Sequence, residues 1–127
     1  NLTDEWRERG IKEQRDVAIL TAEISKATFG MTPGEYKQHK NLPEKSKANL
    51  RDHMDDLELI FTMLGERVTT EISKNEQPDT FPENKNIAKR GGRIAGNARA
   101  ETEKELGRPV VSKSNYLDKD DKLKLEE

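Results

Sequence analysis

Residues 50–72 read LRDHMDDLELIFTMLGERVTTEI and contain the longest hydrophobic pattern of the chain. Seven apolar residues recur there at steps of three or four, which places them on one side of an α-helix. They are Leu50, Met54, Leu57, Phe61, Leu64, Val68 and Ile72. The spacing predicts one helix of about 26 residues. Leu59, Ile60 and Met63 widen the apolar surface around its middle, as in a helix covered from more than one side.

A second long helix is predicted after a break at Gln77-Pro78-Asp79-Thr80. Thr80 and Glu83 have the spacing of a capping box, and Gly107 ends the helix after Leu106. Small residues recur along one side of this helix at steps of three and four. They are Ala88, Gly91, Ala95 and Ala98, with Ile87 and Ile94 beside them. Such a seam lets two helix backbones approach more closely than leucine side chains allow.

Shorter helices are predicted before the first long one. The expected segments are helices at residues 3–9, 11–29 and 33–39 and a turn at 41–45. Thr3 is the expected cap of the first helix, and Gly10 and Gly30 end the first and second in the left-handed conformation that glycine adopts readily. Thr32 and Glu35 form a capping box at the start of the third.

Composition limits the chain to one domain with a thin core. Of its 127 residues, 31% are apolar and 38% are charged, which is a low apolar share and a high charged share for a globular domain. The chain is therefore predicted to be all-α, with about five helices in an irregular bundle that is completed by dimerisation. The helical domain is expected to span residues 1–112, followed by a charged, flexible tail at 113–127.

Compartment signals are sparse. The sequence has no cysteine, so it predicts neither a disulfide framework nor a thiolate metal site, and this fits a reducing compartment. No run approaches the roughly 18 apolar residues that a membrane span needs, and the first residues do not form a signal peptide. We expect a cytoplasmic protein with no membrane association. Because the chain starts with Asn1 rather than methionine, we expect a piece of a longer protein.

One basic face is the best local candidate for binding an acidic partner. Lys85, Lys89 and Arg93 lie four residues apart, with Arg90 and Arg99 nearby. Such side chains can neutralise neighbouring phosphates, so a nucleic-acid-binding module is the alternative function. A solvated helix face explains the same pattern. The net charge of −2 and the absence of aromatic residues for base stacking in this stretch favour that simpler explanation.

Catalytic and metal chemistry find little support in the residue pattern. Asp52, His53, Asp55, Asp56 and Glu58 form the densest group of possible ligands, but a catalytic metal normally needs about three well-aimed protein ligands, and a solvated acidic face is the simpler interpretation. The run Lys89-Arg90-Gly91-Gly92-Arg93 lacks the Gly-Lys-Ser/Thr ending of a phosphate-binding loop. The sequence therefore predicts a non-enzyme with no catalytic residue, no metal site and no cofactor.

Four blocks of the sequence together resemble a known family. They are LTDEWRERG (2–10), ILTAEISKATFGMTPGEYKQHK (19–40), LRDHMDDLELIFTMLGE (50–66) and ENKNIAKRGGRIAGNARAETEKELGRPVVSKSNYL (83–117). They are similar to the C-terminal half of prophage antirepressors of the BRO family, proteins often labelled DNA damage-inducible protein D. In that family a separate N-terminal BRO domain is the suspected DNA-binding part. No block here matches it, so that role is carried onto no residue of this chain.

These expectations combine into one hypothesis about function. The chain is a non-catalytic protein–protein interaction and oligomerisation domain, and the resemblance implies a bacterial or prophage regulator linked to the DNA-damage response. A homodimer is the expected assembly, because symmetric dimers are the commonest oligomers, and a regulatory or DNA-repair protein is the other possible partner. The predicted interface consists of Leu50, Met54, Leu57, Phe61, Leu64, Val68, Ile72, Ala88, Gly91, Ile94, Ala95 and Ala98.

Overall fold

All regular structure in the described part of the chain is helical. The computed structural model describes residues 1–42 and 49–112. The α-helices are α1 (Leu2–Glu8), α2 (Gln14–Phe29), α3 (Pro33–His39), α4 (Asp56–Glu76) and α5 (Phe81–Leu106), and a 3-10 helix at Leu50–His53 precedes α4. The prediction of an all-α bundle with two long helices is confirmed. The predicted tail at 113–127 and residues 43–45 of the predicted turn lie outside the described residues.

Local capping residues set most helix ends. Thr32 and Glu35 exchange hydrogen bonds at the start of α3, and the left-handed Gly30 and Gly107 end α2 and α5 as predicted. The first helix differs, because Asn1 rather than Thr3 is the cap: its side chain accepts a hydrogen bond from the Asp4 amide. The second helix also starts later than predicted, at Gln14.

The predicted helix across residues 50–72 is wrong in one respect, since it is divided at Met54 and Asp55. Both residues have extended backbone conformations, and only the short 3-10 helix lies before them. Asp55 accepts from the Glu58 amide while the Glu58 carboxylate accepts from the Asp55 amide. This capping box satisfies amides that have no partner within α4, so the helix begins at Asp56 although the hydrophobic spacing extends further back.

Beyond Phe61, the buried side of α4 lies one residue past the predicted hydrophobic stripe. Phe61, Gly65, Thr69 and Ser73 are buried, whereas the predicted positions 57, 64, 68 and 72 are only half-buried. The hydroxyl of Thr69 donates to the Gly65 carbonyl at 2.7 Å, so this small polar residue is satisfied inside its own helix. Small residues on this side bring the next helix closer than leucines would.

Helix α5 lies between α2 and α4 and contacts both through small residues. Toward α4, a Cβ added at Gly91 would lie 2.8 Å from the Thr69 Cα, and Ala95 packs against Gly65. These pairings show that α4 and α5 run in opposite directions. Toward α2, a Cβ added at Gly96 would lie 2.3 Å from the Ala27 carbonyl oxygen. No side chain fits at such distances, so both helix pairs need glycine at the crossings.

Two apolar clusters fill the space at the two ends of this three-helix centre. One consists of Leu2, Trp6, Ile11, Leu20, Ile24 and Ala88, and the other of Phe29, Tyr36, Met54, Phe61 and Val110. Trp6, Phe29 and Phe61 are buried core residues. The remaining face of the α4–α5 pair has no such cluster among the described residues.

Candidate interaction surfaces

An apolar surface lies along the α4–α5 pair on the side away from α2. On α5, Ala95 faces α4, whereas Gly92 and Gly96 face α2. Ile94 comes directly before Ala95 and points away from the side that faces α2. On α4, Val68 and Leu64 lie on the corresponding side of Thr69 and Gly65, and Ile60, one turn before Leu64, is turned further away from α5. Ile60 is 55% exposed and Ile94 is 48% exposed, while Leu64 and Val68 are half-buried. We call Ile60, Leu64, Val68 and Ile94 the open face.

The predicted interface residues divide between this open face and the interior. Five of them are buried within the chain itself: Met54, Phe61, Ala88, Gly91 and Ala95. The small seam, predicted to lie against another chain, packs against α4 of the same chain. Leu50, Leu57, Leu64 and Ala98 are half-buried and pack against the cluster around Phe61. Ile72 is also half-buried. Val68 and Ile94 are the predicted interface residues that remain within reach of a partner.

Three of the five predicted basic contacts are engaged by carboxylates. Lys85 lies 3.7 Å from Glu23, and Arg90 makes two hydrogen bonds of 2.8 and 2.6 Å to Glu76. The Arg90 guanidinium holds the pKa of the Glu76 carboxyl below its usual value through these hydrogen bonds. Both pairs lie on the surface, where such contacts add little to stability but reduce the free positive charge.

Arg99 has a structural position at the end of α2. Its Nε donates to the Thr28 carbonyl at 2.6 Å, and its Nη1 donates to Glu103 at 2.7 Å. The other Glu103 oxygen accepts from the Val110 amide at 2.8 Å. Arg99 therefore satisfies a carbonyl at the helix C-terminus, where a cation is favourable, and links α2 to the segment that follows α5.

The remaining cations lie along a groove between α2 and α5. Lys89 and Arg93 extend from α5 and Lys26 from α2, with Ala27 and Glu23 completing the lining. Lys89 and Arg93 are exposed, and so is Lys26, which the sequence did not associate with this face. Lys26 joins this groove because α2 packs parallel to α5, and the local sequence around Lys26 does not predict that packing.

A buried polar cluster joins α3, α4 and the end of the described chain. Tyr36, Lys40 and Glu58 are each 0% exposed. Lys40 Nζ donates to Glu58 Oε1 at 2.9 Å and to the Ser112 carbonyl at 3.0 Å, and the Tyr36 hydroxyl donates to Glu58 Oε2. Glu58 Oε1 also accepts from the Asp55 amide at 3.1 Å. The carboxylate thus has a donor on each oxygen, as a buried charge requires.

The sequence missed this cluster. It assigned Glu58 to a solvated acidic face and gave Lys40 and Tyr36 no role. The structure corrects that assignment, because Asp55 caps α4 and Glu58 is buried, while Asp52 and Asp56 are exposed. Within residues 1–42 and 49–112, no group of three or more potential ligand side chains could hold a metal ion.

A small cavity lies between α2, α4 and the 3-10 helix, with a volume of about 180 Å³. Its walls are mostly apolar and include Ile24, Phe29 and Met54, and the Arg51–Glu66 ion pair lies at one side. Three of the four hydroxyls that line it, those of Thr28, Ser25 and Thr62, donate to backbone carbonyls. The cavity offers shape and apolar contact rather than reactive groups.

No family model, curated protein or solved structure matches this chain. The functional assignment therefore depends on the surfaces described above. Across the described ranges, none of the helices is both long and apolar enough to cross a membrane. The open face and the basic groove lie on different sides of α5, so each can be tested without altering the other.

We expect Tyr36 to remain protonated for as long as the chain is folded. Burial raises the pKa of its hydroxyl, and the adjacent Glu58 carboxylate raises it further. A pKa that is higher in the folded than in the unfolded chain contributes stability below the unfolded value of about 10, and this contribution is lost as pH rises above it. The chain has two tyrosines, so a Tyr116→Phe variant leaves Tyr36 as the one that is observed. In this variant, tyrosinate absorbance should therefore appear only together with loss of helical circular dichroism. Ionisation of Tyr36 near its ordinary pKa in a fully helical chain would contradict this.

Proposed function

We propose that this chain is a non-catalytic helical interaction domain and that its open face binds a second copy of the chain. The observation that carries the proposal is the exposure of Ile60 and Ile94 on two long, tightly packed helices, beside the half-buried Leu64 and Val68. Isolated exposed apolar residues are common on protein surfaces. Apolar residues that share one side of a rigid helix pair are typical of a contact surface.

A two-fold dimer fits the shape of this surface. Two antiparallel helices from each copy would form a four-helix layer, an arrangement in which helix faces pack at shallow angles. Complete burial of an isoleucine side chain contributes about 1.5–3 kcal/mol. Since about half of Ile60 and Ile94 is already buried, each contributes only part of this value on association. Association itself costs at least about 4 kcal/mol, so we expect a weak dimer that forms only at high protein concentration.

The test is to place a charge at the centre of the open face. The wild-type chain should form dimers in sedimentation equilibrium at hundreds of micromolar, and Ile94→Asp should be monomeric with unchanged helical circular dichroism. Leu106→Asp is the matched control, because Leu106 lies on the same helix and is 47% exposed. It should dimerise like the wild type. The proposal fails if the wild type is monomeric at hundreds of micromolar, or if Ile94→Asp associates normally.

The resemblance to the BRO family extends this proposal to a cellular role. In a bacterial or prophage regulator linked to the DNA-damage response, such a domain would pair two copies of the regulator in the cytoplasm or join it to a regulatory or DNA-repair protein. Introducing Ile94→Asp into the full-length regulator should then abolish its effect on damage-induced expression without lowering its amount. A fully active, monomeric regulator would rule out this role for dimerisation.

A further inference from the structure

The groove between α2 and α5 is formed by two helices whose backbones approach very closely. A Cβ added at Gly92 would lie 2.7 Å from the Ile24 carbonyl oxygen, and one added at Gly96 would lie 2.3 Å from the Ala27 carbonyl oxygen. The two helices are thus in backbone contact along this side. Ala27 forms the floor of the groove, and its small side chain leaves space between the long side chains on either edge.

Positive charge in this groove is not matched by neighbouring carboxylates. Among the described residues, Lys26, Lys89 and Arg93 have no carboxylate within ion-pair distance. Glu23 lies at one end of the groove, where it pairs with Lys85, and Glu35 attracts Lys26 only at longer range. This contrasts with Arg90 and Arg99, whose guanidiniums are held by Glu76 and Glu103. Three cations without a carboxylate partner therefore share one groove.

We propose that the α2–α5 groove binds the phosphodiester backbone of a nucleic acid through Lys26, Lys89 and Arg93. Lys89 and Arg93 are one helical turn apart, a rise of about 6 Å, which is comparable with the separation of consecutive phosphates along a strand. An arginine can hold a phosphate through two parallel N–H donors, while lysines act as point charges on its neighbours. Contacts of this kind position a nucleic acid without reading its sequence.

The charge count predicts the salt dependence of this binding. Each phosphate neutralised on a duplex contributes about −0.9 to the slope of log affinity against log salt concentration, so three contacts give a slope of about −2.7. Affinity should then fall about 40-fold between 50 and 200 mM salt. Removing one cation should reduce the size of the slope by about 0.9.

Fluorescence anisotropy with a labelled DNA duplex of mixed sequence tests the proposal. The wild-type chain should bind at low salt with the slope given above, and Lys89→Ala should bind with the smaller slope. Lys89→Glu/Arg93→Glu should lose binding at least tenfold at the lowest salt. The matched control is Lys12→Glu/Lys74→Glu, which changes the net charge equally at two exposed lysines outside the groove. It should bind within about threefold of the wild type, because neither lysine lines the groove and salt screens exposed charges that are not in contact with the bound phosphates.

Three outcomes would overturn the proposal. The first is undetectable DNA binding by the wild type at low salt. The second is an equal loss of affinity in the groove variant and the control variant, which would indicate net charge rather than a site. The third is an acidic peptide that displaces the duplex at equal concentration, which would identify the groove as a protein-binding surface. Ile94 lies on another side of α5 from the groove. Loss of dimerisation in Ile94→Asp should therefore leave DNA binding unchanged, and loss of DNA binding in the groove variant should leave dimerisation unchanged.

Discussion

Glu58→Gln should destabilise the folded chain by about 3–5 kcal/mol. Its carboxylate is fully buried and is the charge partner of Lys40, which is also 0% exposed. Glutamine has nearly the same shape, but it removes the carboxylate charge that the buried ammonium of Lys40 contacts at 2.9 Å. Removing one partner of a buried pair is costly for this reason, even where the intact pair contributes little net stability. The free energy of unfolding of natural domains is typically about 5–15 kcal/mol, and small domains lie toward the lower end of this range. The expected loss is therefore a large fraction of the total stability.

Urea denaturation followed by circular dichroism measures this loss, and two variants separate its causes. Glu66→Gln removes the surface ion pair with Arg51 and should cost no more than about 1 kcal/mol. Combining Glu58→Gln with Lys40→Met removes both buried charges and should restore part of the lost stability, since a buried pair can be replaced by apolar groups. If Glu58→Gln were as mild as Glu66→Gln, the polar cluster would have to be open to water.

Gly96→Ala should also destabilise the chain, by about 1–3 kcal/mol. The added methyl group would lie 2.3 Å from the carbonyl oxygen of Ala27, and a backbone atom cannot turn aside as a side chain can. The two helices would have to separate, and the contacts along α2 would loosen. This sign is opposite to the effect of the same change in an exposed helix, where alanine is favoured over glycine by about 1 kcal/mol.

The reverse substitution at an exposed position of the same helix provides the comparison. Ala100 is exposed, so no neighbouring group has to move in Ala100→Gly. This substitution should lower the free energy of unfolding by about 1 kcal/mol through helix propensity alone. Thermal and urea denaturation should therefore show both variants less stable than the wild type, for different reasons. A stabilised Gly96→Ala chain would mean that α2 and α5 are further apart than described.

Much of the secondary structure was predictable because it depends on residues close in sequence. The capping box at Thr32 and Glu35 and the terminating glycines Gly30 and Gly107 act within one helical turn. The start of α4 at Asp56 also depends on nearby residues, because Asp55 and Glu58 form its capping box. It was missed because the hydrophobic spacing continues through Met54 without a break. Apolar spacing describes one side of a possible helix, whereas a capping box determines where the helix begins.

The functional surfaces were less predictable, because a helical pattern does not say which element covers it. The small seam of α5 indicated close contact, but its partner turned out to be α4 of the same chain, while Gly92 and Gly96 form a second contact with α2 that the sequence did not single out. The predicted interface could therefore be divided into interior and open face only once both neighbours of α5 were known.

The sequence by itself determined the all-helical class, most helix ends and the presence of a closely packed small-residue helix, since these follow from local hydrogen bonding and residue size. The tertiary structure alone decided that Tyr36, Lys40 and Glu58 meet in the interior, that Ile94 faces outward and that Lys26 joins Lys89 and Arg93. The reason is physical: burial and charge pairing depend on neighbours brought together from distant parts of the chain, and their separation in sequence leaves no periodic signal.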